Sequence, residues 1–247
     1  MVDVVLVVLV LDYPLLASSV GLMLSPSSKV TPSFPSDVLE CILDNVTLAD
    51  TSPTIHACAL LCLLNKACQL YCLRDRECWT FTAQVTGIWK GDSASTVTYD
   101  ICYSTWYHSN DITHFIIGTS ASSIYKPTTT PDNAVNGFVC KMDYYFHSNE
   151  QNGMSWWRAD LGAPRSVSTI QVQTRRDGYW ISNFQHVIIT LGNSSDYVNP
   201  VFDTYPYKAT SGELLTFTPS TPIIGRYLQF DTNANVFILL GEVKIIS

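Results

Sequence analysis

The chain has 247 residues, enough for one large or two modest domains, and only 14% of them are charged while 12% are aromatic. Its 14 basic side chains form no run and its formal charge is −7, which excludes a phosphate-backbone site and a polybasic membrane-surface site. A hydrophobic content of 47% with so many aromatics suits a β-rich extracellular protein better than a helical cytosolic enzyme.

The chain opens on an apolar stretch, "VVLVVLVLDYPLLASSVGLML", interrupted by Asp12 and Pro14. It is too broken for a membrane-spanning helix, and residues 1–24 read as a signal peptide. No later segment is apolar enough to span a bilayer. Residues 25–36, with three prolines and five serines, read as a tether.

Eight cysteines follow, seven of them between Cys41 and Cys102 and one apart at Cys140. With two sequons, at Asn45 and Asn193, they favour secretion and disulfides over a zinc site. In "SPTIHACALLCLLNKACQLYC", Ser52 is a candidate N-cap and Pro53 stands at the first helical position. No Gly or Pro interrupts residues 54–86, so a helix could carry Cys58, Cys62, Cys68 and Cys72 within an arc of roughly 120°. Spacing alone leaves the connectivity open.

The order of Cys68, Cys72, Cys78, Phe81 and Cys102 in "CQLYCLRDRECWTFTA" and "DICYST" resembles the PAN/apple module. That resemblance covers about residues 37–106 and implies a small α+β fold with Cys72 paired to Cys78 and Cys68 to Cys102. Cys58-x3-Cys62-x5-Cys68 fits the same spacing, which leaves the register open. Such modules bind proteins or glycans.

From residue 107 the texture changes. "STIQVQTRRD", "HVIITLGN" and "RYLQFDT" alternate apolar and polar residues with the period of a half-buried strand, and "VFILLGEVKIIS" suits a strand covered on both faces. Turn-forming clusters between them predict a β-sandwich over residues 107–247. In "SWWRADLG", period two sets Trp156, Arg158 and Asp160 on one face and Trp157, Ala159 and Leu161 on the other. One tryptophan is then core. Arg158 and Asp160 either pair or hold the sandwich by other hydrogen bonds, and a tryptophan platform for sugar is the rival reading.

Taken together, "NAVNG", "SWWRADLG" and the terminal "GEVKI" resemble the F-type lectin (fucolectin) family, within the discoidin-like, galactose-binding-like superfamily, over about residues 114–247. The resemblance implies a jelly-roll sandwich, making the whole chain mainly β, and a site for fucosylated or related glycans. His147 would donate to the sugar with Arg175, and Asp177 would hold an arginine; on chemical grounds Tyr179 or Trp180 would pack on the apolar sugar face. A guanidinium fork and an imidazole supply several donors to neighbouring hydroxyls. It also implies calcium, held through Asn133, Asn136, Phe138 and Glu242 by amide, carbonyl and carboxylate oxygens.

The chain departs from this pattern. Ser182 stands where the family has a third basic residue, Gly178-Tyr179 replaces an adjacent cysteine pair, Asn136 replaces an aspartate, and Gly241 replaces a cysteine. Losing one charge-assisted donor costs about ten- to a hundredfold in affinity. Cys140 would then bridge to the first block, through Cys41, Cys58 or Cys62, or link two chains into a covalent dimer.

Two functions are expected from these residues: a secreted, calcium-dependent glycan-binding protein, or an extracellular adhesive component with a degenerate sugar site. No nucleophile elbow, His-Glu-x-x-His, Walker loop or paired-carboxylate motif occurs, so no enzyme is expected.

Overall fold

The computed structural model describes residues 27–48, 54–86, 96–106, 108–140, 145–149, 154–176, 184–196, 198–232 and 236–247. In chain order its first block holds β1 (Ser28–Val30), β2 (Ser33–Pro35), β3 (Ile42–Thr47), α1 (Ile55–Leu64), β4 (Leu70–Arg74), β5 (Glu77–Phe81), β6 (Gln84–Val85), β7 (Thr96–Thr98) and β8 (Ile101–Ser104). The second holds β9 (Gly118–Ala121), β10 (Phe138–Val139), β11 (Phe146–His147), β12 (Trp156–Val167), β13 (Thr169–Gln173), β14 (Gln185–Gly192), β15 (Val201–Lys208), β16 (Leu214–Phe217), β17 (Ile223–Thr232), β18 (Leu239–Leu240) and β19 (Glu242–Ile246).

The first block is an antiparallel sheet in the order β1-β8-β4-β5-β3, with α1 packed beside β4 and β5. The stretch expected as a tether instead supplies β1, paired with β8, and β2, paired with β7. The long helix is also corrected. It begins after Thr54, while Ser52 lies outside the described residues, and it stops at Leu64. There the Asn65 carboxamide accepts the Ala67 amide at 3.0 Å and its carbonyl accepts the Cys68 amide at 2.9 Å, turning the chain into β4. Local side-chain bonding of this kind competes with helix propagation.

Only Cys58 and Cys62 therefore ride on the helix, and both pairings implied by the PAN/apple resemblance are overturned. The disulfides are Cys41–Cys140, Cys58–Cys78, Cys62–Cys68 and Cys72–Cys102. The strand register gives the reason. Cys72 lies opposite Trp79 on β5 and opposite Cys102 on β8, while Cys78 lies opposite Leu73. Alternation thus turns Cys78 to the other face of the sheet, toward the helix. All eight cysteines are paired within the chain, which removes the covalent dimer.

The second block is the expected sandwich. A five-stranded sheet, β15-β14-β17-β12-β9, faces a three-stranded one, β16-β13-β19. Between them lies a core that includes Trp157, Leu161, Ile170, Ile189, Phe230 and Ile245. Trp157, Ala159 and Leu161 share one face, as period two predicts, and the structure makes it the buried one; the Trp157 indole donates to the Pro131 carbonyl at 2.9 Å.

The two blocks are joined by more than the chain. β10 pairs with β6, and Phe138 and Cys140 pack into the first block's core. Gln84 donates to Gln173 at 2.8 Å and Arg176 to the Thr82 carbonyl at 2.6 Å. Lys244, only 2% exposed, donates to the Trp106 carbonyl with its ammonium 3.7 Å from the Trp106 ring centre, and burial pushes its pKa down to about 8.

Candidate functional site

His147 sits on β11, a two-residue strand pinned against β18 with Phe146 opposite Leu240 and His147 opposite Leu239. Phe146 enters the core, so alternation sends His147 to the other side. The backbone is held further by the Tyr125 amide donating to the His147 carbonyl at 2.9 Å and the Ser148 amide to the Ile238 carbonyl at 3.0 Å. His147 is therefore a buried strand residue with its backbone fixed on both sides.

Its ring lies among three aromatics: Phe237 at 4.6 Å, Tyr125 at 4.7 Å and Tyr145, edge-on, at 6.2 Å. It is 8% exposed, and its Nδ1 is buried with no hydrogen-bond partner among the described residues. Burial first, then the Arg175 charge, lowers the imidazole pKa to about 4, so the ring is neutral at pH 7. A neutral imidazole has one N–H donor and one acceptor nitrogen, which suits hydroxyls rather than an anion.

Arg175 follows β13, where the chain is fixed by Thr174. The Thr174 hydroxyl donates to the Thr210 carbonyl at 2.8 Å, and the Arg175 carbonyl accepts the Gly212 amide at 2.7 Å and the Ser211 hydroxyl at 2.8 Å. The guanidinium lies 4.4 Å from the Tyr145 ring centre. Two of the sequence-predicted sugar residues thus converge, with Tyr145 between them. Arg176 points the other way, to the first block. Asp177, Tyr179, Trp180 and Ser182 lie outside the described residues.

The candidate calcium residues gather at a neighbouring turn. Residues Pro131–Val135 form a short helical turn, and the Asn136 carboxamide oxygen then accepts the Phe138 amide at 2.8 Å. Gly137, at φ 81°, donates its amide to Glu242 Oε1 at 3.0 Å. Glu242 is 1% exposed, and its Oε2 has no hydrogen-bond partner among the described residues. Burial drives its pKa well above the usual carboxylate range. A buried carboxylate with one oxygen unmatched fits a cation of oxygen preference. Among the described residues no three His, Cys, Asp or Glu side chains cluster as ligands, so Glu242 would supply the carboxylate and neutral oxygens the rest. The Asn133 side chain is oriented by its amide nitrogen, while a calcium ion would take its oxygens. Nδ2 donates to the Thr128 carbonyl at 2.7 Å and the Tyr145 carbonyl at 3.2 Å.

Elsewhere, Arg158 and Asp160 do not pair with each other. Asp160 takes a two-pronged contact from Arg226 at 2.7 and 2.9 Å, and Arg158 donates to Gln229 at 2.7 Å and to the Ser195 carbonyl at 2.6 Å. Trp156 has the Arg158 guanidinium 5.6 Å from its ring centre and stays half-buried, so it stands over an ion-paired sheet face rather than at the His147 cluster. Asn45 and Asn193 are both exposed. Sequence reasoning missed Tyr125, Tyr145 and Phe237. Tyr145 was legible, two residues before His147 and so on its side of a strand. Tyr125 and Phe237 arrive from remote loops and leave no pattern in the sequence.

The family model described as the F5/8 type C domain matches residues 118–243, more than half of the 247-residue chain. Fucolectin-6 of Anguilla japonica is 29% identical over 120 residues, which is 46% of this chain and 61% of that protein. The chain thus spans less than two thirds of this relative. The crystal structure of a fucolectin from the serum of Morone saxatilis, the striped bass, superposes with a TM-score of 0.52 at 24% identity, over 57% of this chain and 50% of that one, a likeness of fold.

Proposed function

The chain belongs to the F5/8 type C domain family, and from that premise we propose that it is a secreted glycan-binding protein whose site is the His147–Arg175 cluster. One observation carries the reading: a buried, neutral imidazole ringed by aromatics, with an arginine beside it. The aromatic rings offer apolar surface to the C–H face of a sugar, while imidazole and guanidinium serve its hydroxyls. The resemblance to proteins named fucolectins supports fucosylated glycans as the ligand class. Eight cysteines all in disulfides support an oxidising compartment.

Calcium is the proposed resident ion, held by Glu242, Asn133 and the oxygens of the Asn136–Phe138 turn. When bound it supplies charge to match the Glu242 carboxylate and fixes the turn, so that the site binds without first ordering itself. Weak single sites gain avidity if copies associate without covalent links. A second reading draws on Ser182, which supplies no cation: an extracellular adhesive protein with a degenerate sugar site.

The experiment is a glycan array on the secreted protein, with calcium and with a chelator. Calcium-dependent binding to fucosylated glycans that is lost in His147→Ala and Arg175→Ala supports the lectin. A blank array from folded protein overturns it in favour of the adhesive component.

A further inference from the structure

We propose that Tyr145 is the positioning residue of this site, holding Arg175 beside His147 and tying both to the Asn133 turn. The proposal rests on the His147–Arg175 reading above but adds a residue that neither contributes a charge nor fits a sugar-binding motif. Three separate contacts meet on it. Its ring lies 4.4 Å from the Arg175 guanidinium and stands edge-on to His147 at 6.2 Å and 77°. Its carbonyl accepts the Asn133 amide at 3.2 Å. It is buried, so the ring is not free to swing away.

The backbone around it is arranged for this contact. β11 runs antiparallel to β18 with Phe146 opposite Leu240, so continuing that register sets Gly241 across from Tyr145. The Gly241 amide donates to the Gln173 carbonyl at 2.9 Å, and a Cβ at Gly241 would come within 2.7 Å of that same oxygen and 3.2 Å of the Thr174 carbonyl. Only a residue without a side chain lets the strand end before Arg175 approach β18 so closely. Gly241 thus brings Arg175 within reach, and the Tyr145 ring then fixes its guanidinium through the aromatic quadrupole. A guanidinium held over a ring loses rotamer freedom beforehand, which lowers the cost of binding a ligand.

The test compares Tyr145→Leu, Tyr145→Phe, Arg175→Ala and the double variant Tyr145→Leu/Arg175→Ala. The readouts are calorimetric titration with methyl α-L-fucoside and an NMR titration of the His147 imidazole, which needs no sugar. Positioning predicts that Tyr145→Phe, which keeps the ring, matches the parent in both. Tyr145→Leu weakens the fucoside by about three- to tenfold. It also raises the His147 pKa as Arg175→Ala does, since the Arg175 charge is one cause holding it down, beside burial and the smaller effect of Lys126. The double variant should titrate like Arg175→Ala alone. An unchanged His147 titration in Tyr145→Leu, or shifts that add fully in the double variant, would overturn the proposal. If the parent binds no fucoside, the sugar reading fails, and the imidazole titration still decides whether Tyr145 positions Arg175.

Discussion

Cys41 and Cys140 form a disulfide across a sequence separation of 99, joining the start of β3 to the end of β10. In the chain-entropy picture such a loop closure contributes roughly 4 kcal/mol by restricting the unfolded chain. The double substitution Cys41→Ala/Cys140→Ala is expected to lower the denaturant midpoint by a comparable free energy, while pairing of β6 with β10 keeps the blocks together. Denaturant unfolding followed by tryptophan fluorescence measures it, and an unchanged midpoint would mean that the other contacts alone set the interface.

The two adjacent tryptophans should behave differently. Trp157 is fully buried against Phe230, with ring centres 5.6 Å apart, so Trp157→Ala is expected to cost about 3–5 kcal/mol. Trp156 is half-buried on the opposite face, and Trp156→Ala should cost no more than about 1.5 kcal/mol. Glycan binding of Trp156→Ala should match the parent, because that ring is not in the His147 cluster.

His147 carries a pH dependence whose sign follows from its depressed pKa. In the folded chain it titrates at about 4 rather than 6.5. Above pH 6.5 it is neutral in both states and contributes no slope. Between 6.5 and about 4 the unfolded chain binds a proton that the folded chain refuses, so stability falls as pH falls, by on the order of 3 kcal/mol in all. Below about 4 the effect is complete. Unfolding free energies from pH 7.5 to 4 should show this slope in the parent and lose it in His147→Gln.

Glu242 provides a check on the ion. Its buried carboxylate has one oxygen matched by the Gly137 amide and a pKa raised by burial. Glu242→Gln keeps a carbonyl oxygen for Gly137 and removes the charge. The metal-free variant should be at least as stable as the metal-free parent at pH 7. Calcium at a hundredfold excess over Kd should stabilise the parent by about 2.7 kcal/mol and the variant far less. Equal melting-temperature shifts for the two proteins would remove Glu242 from the cation site.

Much of the fold was legible in the residues themselves. The alternation in "SWWRADLG" separated Trp157 from Trp156, and the turn clusters marked a sandwich, because strand period and turn chemistry are local properties of the chain. His147 and Arg175 were also legible as candidate site residues, through their resemblance to a family pattern. What stayed hidden was everything that depends on register between distant segments. Cysteine spacing could not reveal that Cys72 faces Cys102 rather than Cys78, since the answer lies in which strand is its neighbour and on which face. Nor could it reveal that the chain leaves the helix at Asn65, where a side-chain hydrogen bond outcompetes a run of good helix formers.

By itself the sequence determined the class, a disulfide-rich block followed by a β-sandwich with a histidine and an arginine in the right order. Only the tertiary structure decided the chemistry of that histidine. Its depressed pKa arises from burial, among Phe237, Tyr125 and Tyr145, and from the Arg175 charge, contributed by four separate segments. Burial and the field of a nearby charge are properties of what surrounds a residue in space, and no local pattern encodes them.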